Sequence, residues 1–301
     1  MSKIKPPANR HASTSVTPFI LAAPVSLGAP VIFVSPHSGA YYPADFIASS
    51  RLDPIALRGS EDAFIDELFG AAPDFGAPLL AARYPRAYLD VNREPWELDA
   101  DMYDDELPDY INSSSFRVAG GLGTVARVVA NGAEIYDRKL RFAEAEDRVN
   151  NIYVPFHEAL KGLIDEAVRR FGCAIVVDCH SMPSVGGPMD KDPGRRRADI
   201  VLGDRFGSSC HTGIIAATET VFRELGYTVA RNTPYAGGFT TRNYGRPAGG
   251  VHTLQIEINR GLYMDEATVS RLPGFSTVTT HMTSVISALT DLDPAVLSQR
   301  R

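Results

Sequence analysis

The chain has 301 residues, of which 44% are hydrophobic and 22% charged, with a net charge of -6 at pH 7; this is an ordinary globular composition, long enough to bury a large core. The acidic balance and the lack of a long Lys/Arg block exclude a nucleic-acid footprint, which depends on clustered positive charge. No apolar run reaches transmembrane length, and FILAA at 19–23 is too short for the apolar region of a signal peptide, so the expectation is a cytoplasmic protein without a membrane partner.

Residues 1–25 are polar with scattered prolines and read as a tail ahead of one domain, 26–301. The first core strand is expected at 31–35, in VIFVSPHSG. Ser60 can cap a helix over 61–71 that buries Phe64, Ile65, Leu68 and Phe69, and a strand is expected at 87–91. From Glu94 to Gly121 the pattern breaks into an acidic stretch followed by turn formers, a length that marks a functional loop at a pocket rim. A helical pattern over 137–171 is interrupted at Pro155, which requires a kink or a restart. A strand at 174–178 precedes a Gly- and Pro-rich flap at 182–197. A helix at 209–225, strands near 227–231 and at 252–258, and a last helix over 265–289 complete the alternation. Strands interleaved with helices imply a single-domain α/β fold with a mixed, mostly parallel sheet covered on both faces.

Four β-patterned runs finish on polar clusters: VIFVSPHSG at His37, AYLDVNRE at Asn92 and Arg93, AIVVDCHS at His180, and TLQIEINR with Glu257. In open α/β sheets the ligand crevice lies beyond the carboxyl ends of the strands, so these residues should converge there. Within 254–259, alternation sends Leu254, Ile256 and Ile258 to one face and Gln255, Glu257 and Asn259 to the other. A carboxylate in so apolar a strand needs a partner or a task, because burying it unpaired costs several kcal/mol. The same alternation turns Cys179 away from Asp178 and His180, toward an apolar packing role. Cys173, Cys179 and Cys210 lack C-x-x-C spacing, which argues against a disulfide framework or a zinc ribbon. GRRRA at 194–198 is the only dense basic run, and such runs are usually solvated surface. His157 reads as a hydrogen-bonded residue at a helix start, and Tyr244 suits a substrate contact or plain packing equally.

Two imidazoles at strand ends suit zinc, and a catalytic zinc needs three protein ligands with one position open. In H-x-x-E peptidases the third ligand follows the first His by three residues, a position held here by Ala40. Downstream, Glu61, Asp62 and Asp66 are all candidates at an expected helix start, where the dipole alone would favour carboxylates.

PHSG at 36–39, SEDAFIDELF at 60–69, RYPRAYLDVNR at 83–93, DCHSMPS at 178–184, GGFTTRNYG at 237–245 and LQIEINRGLYMDE at 254–266 span most of the chain. In order and spacing they resemble the N-formylglutamate amidohydrolases. The resemblance implies a core like that of zinc carboxypeptidases and aspartoacylases. It also implies a Zn2+-dependent amidohydrolase of histidine degradation that releases formate from N-formyl-L-glutamate. Carried over residue by residue, it gives His37, Asp62 and His180 as metal ligands, Glu257 as the carboxylate that activates water, and Arg86 as the group that polarises the scissile carbonyl. It further gives Asn92 and Arg93 as the pair holding a substrate carboxylate, and places Arg242 in the stretch expected to contribute a further substrate contact, with Tyr244 close by as the substrate-contact candidate named above. Ala63 stands where members usually carry an aromatic, and Phe239 where they carry Trp. The expected partner is a small N-acyl amino acid; the alternatives are a deacylase or carboxypeptidase for another such substrate and a non-catalytic anion-binding protein of the same fold.

Overall fold

The computed structural model describes residues 16–297 except 130 and 189. A seven-stranded mixed sheet forms its centre: β1 (Phe19–Ala22), β2 (Val31–Ser35), β3 (Leu79–Ala82), β4 (Ala174–Met182), β5 (Ile200–Gly203), β6 (Val229–Arg231) and β7 (Val251–Asn259), in the order β1-β3-β2-β4-β7-β5-β6. Strands β3, β2, β4 and β7 run parallel, whereas β1 pairs antiparallel with β3 and β5 antiparallel with β7. The expected α/β fold with a mostly parallel sheet is therefore the observed one.

Alternation along the central strands divides the core. Phe33, Ile175, Val177, Cys179, Leu254, Ile256 and Ile258 pack on one face with residues of helices Thr212–Glu224 and Phe275–Thr290. Ile32, Val34, Leu80 and Val176 pack on the other with helix Val154–Phe171. Register then places the polar residues: in the β4/β7 pair Asp178 lies opposite Gln255, and His180 opposite Glu257. The two strands thus present two adjacent polar pairs on one face near their carboxyl ends.

Several expectations are corrected by tertiary contacts. The stretch read as a tail to residue 25 contains β1, whose residues pair with β3 from Phe19↔Ala82 to Ala22↔Leu79; residues 1–15 lie outside the described chain. No continuous helix covers 61–71. Only Ile65–Leu68 is α-helical, because Phe64 is left-handed (φ 68°) and the Asp62 N–H is drawn to His37 O at 3.0 Å. A non-glycine residue held there costs about 1–3 kcal/mol, strain typical of a segment fixed by its surroundings. No strand forms over 87–91 either. Tyr88 and Leu89 donate to Pro85 O in a turn, yet Ala87, Leu89 and Val91 are still buried, which imitates strand alternation. Pro155 does restart the helix, after a π-helical turn at Val149–Tyr153. The last helix begins at Phe275, since Met264–Asp265 and Ser270–Arg271 form a small antiparallel ribbon first.

Candidate active site

The carboxyl ends of β2, β4 and β7 open into a cavity of about 600 Å³, within the range of small-molecule sites. His37, Asp62, Arg86, Asp90, His180 and Glu257 line it. The long 94–121 segment and the 182–197 flap also reach it, through Arg117 and through Gly187 and Asp190.

PHSG leaves β2 and turns sharply. A Cβ on Gly39 would stand 2.2 Å from Tyr84 O, so only glycine lets the His37 turn lie against the segment bearing Arg86 and Asp90. His37 Nε2 meets Asp90 Oδ1 at 2.7 Å, and its Nδ1, buried without a hydrogen-bond partner, faces Asp62 Oδ2 at 3.3 Å. His180 repeats the arrangement, with Nε2 3.0 Å from Asp178 Oδ1 and Nδ1 2.9 Å from Asp62 Oδ2. Each imidazole is backed by a carboxylate at one nitrogen and points the other at Asp62, the outer support usual for metal-binding histidines. Asp62 Oδ1 is held from behind by Arg260 Nη2 (2.9 Å) and Ser181 Oγ (3.2 Å).

His37, Asp62 and His180 are buried, with one donor atom from each within 4.8 Å of the others, and can hold a metal ion. The 2.9 and 3.3 Å spacings are near the roughly 3.3 Å expected between donors about 2.0–2.1 Å from a tetrahedral zinc. Among these side chains alone, burial disfavours the Asp62 carboxylate, but the two histidines prevail and hold it well below the usual carboxylate range. Burial likewise opposes charge on His180, yet Asp178 and Asp62 push its pKa well up. So concentrated an attraction around three inward-facing donors is what a cation would satisfy.

The other two third-ligand candidates are engaged elsewhere. Glu61 accepts from Tyr42 Oη at 2.5 Å and from Arg58 Nε and Nη2 at 2.9–3.0 Å. Asp66 lies near Ser38, its carboxyl raised chiefly by burial.

Glu257 lines the cavity outside this cluster and accepts from Gln255 Nε2 at 2.7 Å. Burial first, then the neighbouring Asp62 and Asp178, push its pKa up to about 8. A carboxyl whose folded pKa exceeds its unfolded value of 4.5 binds more protons when folded, so its contribution to stability falls as pH rises from about 4.5 to 8. In chelator-stripped protein, Glu257→Gln should therefore stabilise the fold relative to the parent by an amount that grows across this window to about a few kcal/mol at pH 8, seen as a rising gain in melting temperature. Thermal unfolding at pH 5 and pH 8 checks this; an equal shift at both would refute it.

Arg86 Nη2 donates to Asp90 Oδ2 at 2.8 Å. Arg93 uses Nε on Leu122 O and Nη1 on Asn92 O, and its Nη2 has a longer 3.5 Å contact to Asp90. Asn92 accepts from Thr240 N at 2.7 Å, and its Nδ2 lies 3.1 Å from His180 Nε2. A Cβ on Gly238 would stand 2.8 Å from that Nδ2, so the GGFTT segment is packed directly on Asn92.

Two expected substrate contacts fall elsewhere. Arg242 is half exposed, pairs with Glu94 at 2.5 Å and lines a separate open cleft with Trp96 and Tyr110. Tyr244 donates toward His157 Nδ1 at 2.7 Å, while His157 Nε2 meets Val91 O at 2.8 Å. Both residues thus brace the 90–93 loop from beneath, and burial lowers the His157 pKa to about 4. Cys179 is buried on the opposite face, as alternation requires. In the basic run Arg195 and Arg196 are exposed, but Arg197 is buried and ties the flap through Asp190 (2.7 Å) and Asp192 (2.8 Å).

Sequence reasoning overlooked Asp90, Ser181 and Arg260, and passed over Asp178 as a supporting group. For Asp90 a signal was present: it stands between apolar Leu89 and Val91 as Glu257 stands between Ile256 and Ile258. For Arg260, just past the end of β7, no local signal distinguishes it from a surface arginine.

The family model described as N-formylglutamate amidohydrolase matches residues 29–264. N-formylglutamate deformylase of Pseudomonas putida is 27% identical over 241 residues, covering 79% of this chain and 82% of that protein. The deformylase of Pseudomonas aeruginosa is 29% identical over 242 residues, covering 79% and 83%. The crystal structure of N-formylglutamate amidohydrolase from Ralstonia eutropha JMP134 superposes with a TM-score of 0.85 at 38% identity, over 93% of this chain and all of that one. With the match extending from the start of β2 past the end of β7, the chain belongs to the N-formylglutamate amidohydrolase family.

Proposed function

We propose that the protein is a zinc-dependent amidohydrolase that cleaves N-formyl-L-glutamate to formate and L-glutamate. The observation that carries this reading is the convergence of His37 Nδ1, His180 Nδ1 and Asp62 Oδ2 beside the buried carboxyl of Glu257 in one cavity. It is supported by the relatives, whose names specify this amide. No helix among the described residues is long and apolar enough to cross a membrane. The proposal extends to a cytoplasmic role in histidine degradation.

His37, Asp62 and His180 would hold the zinc, which supplies Lewis acidity toward a carbonyl and a nearby water. Asp90 and Asp178 fix the ring orientation of the two histidines. Glu257 takes the proton of the attacking water and returns it to the leaving amine, a role its place in the cavity beside the three donors allows. Arg86, held by Asp90 at the cavity wall, stabilises negative charge developing on the formyl oxygen. Arg93 binds the main-chain carboxylate. Asn92 lies beside His180 with its Oδ1 held by the Thr240 N–H, and its amide hydrogens can be offered to the ligand.

Elemental analysis of purified protein, combined with formate release from N-formylglutamate and N-formylglutamine, tests the proposal. About one zinc per chain and a marked preference for the glutamate substrate are expected. Absence of turnover on N-formylglutamate in metal-replete protein would sink it. Arg242→Ala should change kcat/KM by less than about fivefold, because an exposed ion pair contributes about 0–1 kcal/mol.

A further inference from the structure

The cavity wall carries more positive charge than the chemistry at its floor uses. Arg86, Arg197 and Arg260 are neutralised by Asp90, by Asp190 with Asp192, and by Asp62. Arg117 and Lys191 also line the cavity, and among the described residues neither side chain has a hydrogen-bond or ion-pair partner. Lys191 is exposed on the flap, whereas Arg117 is half-buried on the short helix Phe116–Ala119.

The segment carrying Arg117 is fastened to the loop carrying Arg93. Ser115 accepts from Val118 N at 3.1 Å and its hydroxyl bonds the buried Glu97 carboxylate. Thr124 N donates to Glu97 O at 2.8 Å, and Arg93 Nε donates to Leu122 O at 2.9 Å. A Cβ on Gly123 would stand 2.3 Å from Glu97 O, which leaves the segment little room to move away. Burial first, then repulsion from Arg86 and Arg117, bring the Arg93 pKa down to about 10. Two guanidinium groups held this way in one cavity repel each other, and a ligand with two carboxylates relieves that repulsion.

We propose that Arg117 is the specificity-determining receptor for the side-chain carboxylate of a dicarboxylic substrate, opposite Arg93 at the main-chain carboxylate. This rests on the proposed function for the substrate class, but Arg117 recognition can be measured without turnover. A guanidinium can meet a carboxylate with two parallel hydrogen bonds, which a lysine at the same place cannot reproduce.

Binding of glutarate and of butyrate to zinc-loaded protein, measured by calorimetry, separates the two-carboxylate contribution. The parent should prefer glutarate; Arg117→Gln should reduce that preference about 10- to 100-fold, Arg117→Lys less, and Lys191→Gln little. Alongside, the ratio of kcat/KM for N-formylglutamate over N-formylglutamine should fall in Arg117→Gln by a similar factor. A parent without preference for glutarate, an Arg117→Gln variant that keeps it, or a Lys191→Gln variant that loses it would each overturn the assignment. A parent that prefers glutarate, loses that preference in Arg117→Gln, and does not hydrolyse N-formylglutamate would overturn the proposed function while supporting the receptor.

Discussion

Replacing Glu257 by Gln is expected to lower kcat by about 10²- to 10⁴-fold, the usual contribution of a positioned general base, with metal content unchanged. Glutamine conserves the side-chain volume and can keep a hydrogen bond to Gln255, so the cavity wall should survive the change. What it removes is the ability to accept and return a proton. Glu257 lies outside the converging His37, Asp62 and His180 donors, which is why metal stoichiometry should stay at the parent value. Steady-state kinetics and elemental analysis on the same preparation check both halves. Loss of the metal together with activity would move Glu257 among the ligands and refute the assignment.

Asp62→Ala should weaken metal binding by well over 100-fold, since even groups that merely support metal ligands are worth about 10- to 100-fold. The same change strips Arg260 of its buried carboxylate partner, so instability is also expected, on the order of 3–5 kcal/mol. Asp62→Asn, which preserves shape and can still accept from Arg260, separates the two effects: it should fold and still bind the metal poorly. Glu61→Gln provides the contrast. Its side chain is committed to Tyr42 and Arg58, so the variant should retain the metal and lose stability instead. Competition with a metal-binding dye reads the affinities; metal loss in Glu61→Gln with retention in Asp62→Asn would reverse the assignment.

Residues closest to regular strands were the most legible. β2, β4 and β7 announce themselves as apolar runs, and the two-residue period puts His180 and Glu257 on the same face, where parallel register makes them neighbours. Cys179 follows from the same rule, facing the opposite core. Legibility declines where the chain leaves the sheet. The 84–93 segment imitates a strand because Ala87, Leu89 and Val91 are all buried, although its hydrogen bonds close a turn on Pro85. Arg242 sits in a motif beside the site, yet its side chain reaches Glu94 on the outer surface, a direction that sequence position does not encode.

The sequence by itself determined the α/β class, the central strands and the polar residues at their carboxyl ends, because side-chain alternation and apolar burial are local consequences of residue order. Its motifs also sufficed to indicate the family. Only the tertiary structure shows which of Glu61, Asp62 and Asp66 stands beside the two histidines, since that depends on a backbone bond from Asp62 to His37 and on Arg58 and Tyr42 claiming Glu61. It alone showed Asp90, Asp178 and Arg260 closing around the three donors, and Arg117 facing the cavity without a carboxylate partner among the described residues. The physical reason is that a buried charge is stabilised by whichever opposite charge the fold brings within a few ångströms, and that proximity is a property of packing across long stretches of chain.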